Sequence, residues 1–103
     1  MTAIKAKEIS LEVWRYLVRH PEIDNKRELP LILLDKIRHE KALCPLCTLF
    51  AKGSARCPGC PLRYCYDGSA FSVWVNSRTK RKRRAAALKI VRRLEAWEPG
   101  EEA

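Results

Sequence analysis

All five cysteines of this 103-residue chain fall in one stretch, 44–65. They run Cys44-Pro45-Leu46-Cys47, then Cys57-Pro58-Gly59-Cys60, then Cys65. Two cysteines separated by two residues on one tight turn can aim both thiolates at a single ion. Proline and glycine within the turn help backbone amides face the sulfurs. Two such knuckles supply the four sulfurs of a tetrahedral structural zinc site. Soft thiolates select zinc or iron–sulfur chemistry over magnesium or calcium. The spacing fits neither ferredoxin pattern, which places an iron–sulfur cluster second. Cys44, Cys47, Cys57 and Cys60 form the simplest ligand set. Cys65 can replace Cys57, and His39 enters only if the helix before the first knuckle bends inward. The competing reading is buried free thiols or a disulfide, but five cysteines beside Pro45, Pro58, Gly59 and Pro61 make a poor core stripe. Four protein sulfurs close the coordination sphere, so the expected ion is structural and its binding energy is folding energy.

A chain of this length forms one domain, 1–103, and buries only about two-thirds of its unfolded surface. A metal cross-link is useful to so small a core. The composition, 47% hydrophobic and 32% charged, is that of a folded domain rather than a disordered tail. The longest apolar run, Leu29-Pro30-Leu31-Ile32-Leu33-Leu34, is far shorter than the ~20 residues of a membrane span. The first residues, Met1-Thr2-Ala3-Ile4-Lys5-Ala6-Lys7-Glu8, contain no apolar signal core. With an odd number of clustered cysteines, this points to a reducing, cytoplasmic setting without a membrane.

The net charge of +9 is concentrated. Residues 78–93 hold nine cations (Arg78, Lys80, Arg81, Lys82, Arg83, Arg84, Lys89, Arg92 and Arg93) and no acid, while the rest of the chain is balanced at twelve of each sign. A field so localised attracts polyanions or an acidic protein surface.

Periodicity and punctuation predict a mainly α domain. Residues 10–20 read as a helix stopped by Pro21, with Ile9, Val13, Tyr16 and Leu17 on one side and Leu11, Trp14 and Val18 on another, as for a helix held between neighbours. Residues 21–29 read as a loop with Asp24 and Asn25 as turn residues. Pro30 is suited to open a second helix reaching about Lys41. The cysteine segment reads as irregular, with a short helical turn over 46–52. Phe71-Ser72-Val73-Trp74-Val75 fits a strand by alternation and a helical turn by Ser69 as its cap, and the turn is favoured. A long final helix, about 77–98, is expected from Asn76 or Ser77 to near Trp97, before Pro99. Its apolar stripe is Ala86, Ala87, Ile90, Val91, Leu94 and Trp97. Arg78, Arg81, Lys82, Lys89, Arg92 and Arg93 project from the opposite side. That stripe is expected to pack on the first helix, with the zinc-organised loop bracing one end and 100–103 frayed.

The cysteine pattern, with Cys57-Pro58-Gly59-Cys60-Pro61-Leu62, Cys65, Trp74 and the basic-to-apolar final helix, resembles small cysteine-rich zinc-binding proteins encoded by tailed phages and prophages. The resemblance covers roughly residues 42–97. It implies a metal-stabilised helical domain in a phage setting, hence the host bacterial cytoplasm, with the five cysteines as metal-site residues.

Six cations on one helical face suit a phosphate backbone, and arginine adds bidentate contacts to phosphate or guanine. A solvated face serving solubility is the plainer reading, but an acid-free run of nine exceeds that need. Trp14 and Trp97 are expected in the core, whereas Trp74, Tyr64 and Tyr66 suit core or contact equally. His20 and His39 read as surface residues. Asp24, Asp35 and Asp67 form no paired-carboxylate motif, and no phosphate-cradling glycine loop exists among four glycines. The sequence therefore predicts a non-enzymatic, phage-type nucleic-acid-binding protein. Its rival is a phage-encoded inhibitor or adaptor for a host protein, such as an anti-CRISPR-type blocker, that docks on an acidic patch.

Overall fold

The computed structural model describes residues 2–39, Pro45 and residues 70–99. The first helix, α1, spans Ala3–Arg19, seven residues earlier than the periodicity suggests. Thr2 explains the difference. Its hydroxyl accepts the Lys5 N–H at 3.1 Å, the alanine-, lysine- and glutamate-rich first turns favour helix by propensity, and Ala6 is buried beneath them. The helix stops at Arg19, because Pro21 disfavours helical geometry at His20. Ala6, Ile9, Ser10, Val13, Trp14 and Leu17 form one broad buried face, and Leu11, Tyr16 and Val18 pack along its margins. The two apolar sides expected from sequence are thus one wide face.

The following loop contains a 3-10 turn, Lys26–Glu28, opened by Asn25, whose side-chain oxygen accepts the Arg27 N–H at 2.9 Å. Ile23, Lys26 and Leu29 are buried from this loop. Helix α2, Leu31–Ile37, starts after Pro30, whose carbonyl accepts the Leu33 and Leu34 amides. Arg38 closes it, so its described end falls short of Lys41. Leu33 and Ile37, four residues apart, face inward.

The ambiguous segment is a helix, α3, Ala70–Asn76. A strand there would put Phe71, Val73 and Val75 on one face; the helix instead directs Ala70 and Trp74 to the core and leaves Val73 and Val75 exposed. Trp74 meets Trp14 edge-on, at 5.1 Å between ring centroids and 84° between planes. Phe71 adds a second edge contact to Trp14 at 6.1 Å. The ammonium of Lys26 lies 5.1 Å from the Trp14 ring centroid and 5.2 Å from that of Phe71, a cation–π arrangement joining the loop to both rings.

The final helix, α4, is Lys80–Ala96. It begins three residues later than about 77, because both expected caps are already engaged. Asn76 completes α3, and the Ser77 hydroxyl donates back to the Val73 carbonyl. Thr79 therefore becomes the cap, accepting the Lys82 N–H at 3.2 Å. At the other end Lys7 donates to the Glu95 and Trp97 carbonyls, a cation placed where the helix dipole is negative.

Helices α1 and α4 pack on each other, as their apolar stripes predict, and run antiparallel; α3 packs on α4. The direction follows from two ties: Lys7 near the start of α1 meets the end of α4, while Arg83 near the start of α4 meets Pro21 just past α1. The core gathers Ile9, Val13, Trp14 and Leu17 with Ala86, Ala87, Ile90, Val91 and Leu94. Among the described residues there is no strand, and no helix long and apolar enough to cross a membrane.

Candidate nucleic-acid interface

The apolar stripe of α4 fixes what its other side displays. With Ala86, Ala87, Ile90, Val91 and Leu94 buried, the roughly 100° step per residue turns Arg81, Lys82, Lys89, Arg92 and Arg93 outward, and all five are exposed. Arg81 and Arg93 are about 18 Å apart along the axis. Arg78 is also exposed, but it precedes the Thr79 cap and stands beside the helix end instead of on its face. Lys80 and Arg84 are exposed toward one margin of the same turn.

Arg83 departs from the run. It is 8% exposed, donating from Nε to the Pro21 carbonyl at 2.8 Å and from Nη1 to the Ser77 carbonyl at 3.0 Å. It ties the loop after α1 and the α3–α4 link to the first turn of α4. The sequence holds the signal: position 83 lies three residues before Ala86, four before Ala87 and seven before Ile90, in the middle of the apolar stripe.

Several acidic groups near these elements are engaged elsewhere, although Asp24, Glu28 and Glu98 form no ion pair among the described residues. Glu12 pairs with Lys36 at 2.8 Å, Asp35 with Arg38 at 2.9 Å, and Glu8 with Lys5 at 3.8 Å. Glu95, the one acid of α4, is turned aside to Arg15 at 2.9 Å. Among the described residues, none of the five outward cations forms an ion pair. Glu22 sits near the start of α4, and its carboxyl is held below the ordinary glutamate range by a hydrogen bond from its own backbone, then by His20, with Lys80 adding a smaller charge effect.

At the start of α4 the placement of these cations works against the helix itself, whereas Arg93, in the last turn, lies where the dipole is negative. The first turn of α4 holds Lys80, Arg81, Lys82 and Arg83 and no acid, where the helix dipole is already positive, costing ~0.3–1 kcal/mol per charge before screening. Lys89 with Arg92 and with Arg93, at helical neighbour spacings, adds like-charge repulsion of ~0.2–0.5 kcal/mol per pair. A surface serving only solubility would mix signs at such positions. A polyanion relieves both penalties.

The aromatic residues sort clearly. Trp14 and Trp74 are 1% and 2% exposed, so both are core, and Trp97 is half-buried at the end of α4. His20 stacks on Tyr16 at 4.0 Å and meets Glu22 at 3.2 Å, while His39 is exposed. Cys44, Cys47, Cys57, Cys60 and Cys65, the helical turn over 46–52, the Ser69 cap, and Tyr64 and Tyr66 lie outside the described residues. Among those described, no group of three or more His, Cys, Asp or Glu side chains gathers as a metal site. Compared with known proteins, the chain matches no family model, no curated protein and no solved structure.

Proposed function

We propose that this chain is a non-enzymatic, phage-type nucleic-acid-binding protein that presents Arg81, Lys82, Lys89, Arg92 and Arg93, with Arg78 just ahead of them, to phosphates. In this reading the 44–65 segment holds one structural zinc ion on sulfurs drawn from Cys44, Cys47, Cys57, Cys60 and Cys65, and braces the helical core. The spacing of the cysteines supports the zinc, and their resemblance to small phage proteins supports the setting. One observation carries the binding function: five outward cations on α4 without a carboxylate partner among the described residues, two of them, Arg81 and Lys82, in a first turn that holds no acid.

The test is fluorescence anisotropy with unrelated DNA and RNA at low salt, comparing the parent with a variant carrying Arg81, Lys82, Lys89 and Arg92 all changed to Ala. The parent is expected to bind with a roughly micromolar Kd, and the variant to keep its helical circular dichroism while losing most binding. Absence of binding to either polymer overturns the reading and turns the search to an acidic host protein, sought by pull-down.

A further inference from the structure

The outward face of α4 has a shape as well as a charge. On a helical projection, Ala85 and Ala96 mark its midline, both exposed. Arg81 and Arg92 stand to one side of that line, and Lys82, Lys89 and Arg93 to the other. Arg92 and Lys89 stand next to that line, each about 20° from it, so short side chains open a close approach of the backbone to a surface at Ala85 and Ala96 alone. Long cations on both margins then reach up and outward, toward two separate rows of charge.

We propose that the ligand of this face is duplex B-form DNA, with α4 seated in the major groove; this deepens the reading above and rests on it. A helix with its side chains is ~10–12 Å across, and the B-form major groove is about 12 Å wide. The two cationic margins then meet phosphates of the two strands, while Ala85 lies against the groove floor. An A-form RNA duplex has a major groove too deep and narrow to be read in this way. Single strands are held by aromatic platforms on which bases stack. Lys80–Ala96 contains no aromatic residue, and Trp14 and Trp74 are locked in the core behind it. The pairing of Glu95 with Arg15 at 2.9 Å keeps the helix's own carboxylate off the cationic margins.

The test uses the full chain and three labelled ligands of one mixed sequence, roughly 20 nucleotides long: a DNA duplex, an RNA duplex and a single DNA strand. It also uses Ala85→Leu, a neutral change at an exposed position that favours helix nearly as well as alanine. The DNA duplex is expected to bind about tenfold tighter than either other ligand, and Ala85→Leu to weaken duplex binding about fivefold by lifting the helix off the groove floor. Equal or tighter binding of RNA or the single strand overturns the groove assignment and leaves the broader nucleic-acid reading standing. Ala85→Leu binding like the parent does the same. Binding to none of the three overturns both.

Discussion

Arg83 and Arg84 are neighbours in one run of cations, and the structure gives them opposite jobs. Replacing Arg83 with Met keeps an unbranched apolar stem in the core but removes the donors to the Pro21 and Ser77 carbonyls. Hydrogen bonds from a charged donor contribute ~1.5–3 kcal/mol each, and water reaching two half-buried carbonyls recovers part of that. Taking one cation out of the first turn of α4 returns a further ~0.3–1 kcal/mol. The net expectation is a loss of about 2 kcal/mol, or a Tm lowered by about 10 °C for a chain of this length. Arg84→Ala removes the same formal charge from an exposed site and is expected to stay within ~0.5 kcal/mol of the parent. Thermal and urea melts followed by far-ultraviolet circular dichroism read both variants. If Arg83→Met melts with the parent, or if the two variants lose stability alike, the structural assignment of Arg83 is wrong.

Other expectations follow from the same geometry. Arg81→Glu puts an acid at the positive end of α4, so it should raise stability by ~0.3–1 kcal/mol while weakening nucleic-acid binding; melts and anisotropy on one preparation show whether the two effects part. Cys44→Ser or Cys47→Ser is expected to unfold much of the domain and lower its zinc content, measured by elemental analysis, and a variant melting like the parent contradicts a structural ion. Because the Glu22 carboxyl is held below its ordinary range, its contribution to stability is present above that range and disappears as pH falls through the lowered value. Glu22→Gln should therefore be less stable than the parent in urea melts near neutral pH, with the gap closing as pH falls below the ordinary glutamate range; a gap that does not shrink in acid contradicts the linkage.

Much of the architecture is legible where a residue's local pattern and its tertiary environment agree. The apolar stripe of Ala86, Ala87, Ile90, Val91 and Leu94 predicts both the long final helix and its packing on α1. Pro21 and Pro30 bracket the first loop as proline chemistry requires. What escaped depends on competition or on distant partners. Asn76, Ser77 and Thr79 are all competent caps, and only the backward bonds of the first two leave the role to Thr79. Lys26 reads as a loop cation, because the rings of Trp14 and Phe71 that receive it are remote in sequence. Arg83 was hidden for a different reason: a continuous run of cations masks the helical period that marks one of them as inward-facing.

The salt dependence of DNA binding tests the central claim most directly. Six cations on phosphates, Arg78 with the five of α4, release counterions such that log Kobs falls against log salt with a slope of about −5.4. Removing Arg81, Lys82, Lys89 and Arg92 together leaves Arg78 and Arg93 and should bring that slope to about −1.8. A shallow slope in the parent, or the same slope in both proteins, contradicts the outward face of α4 as the phosphate-binding surface.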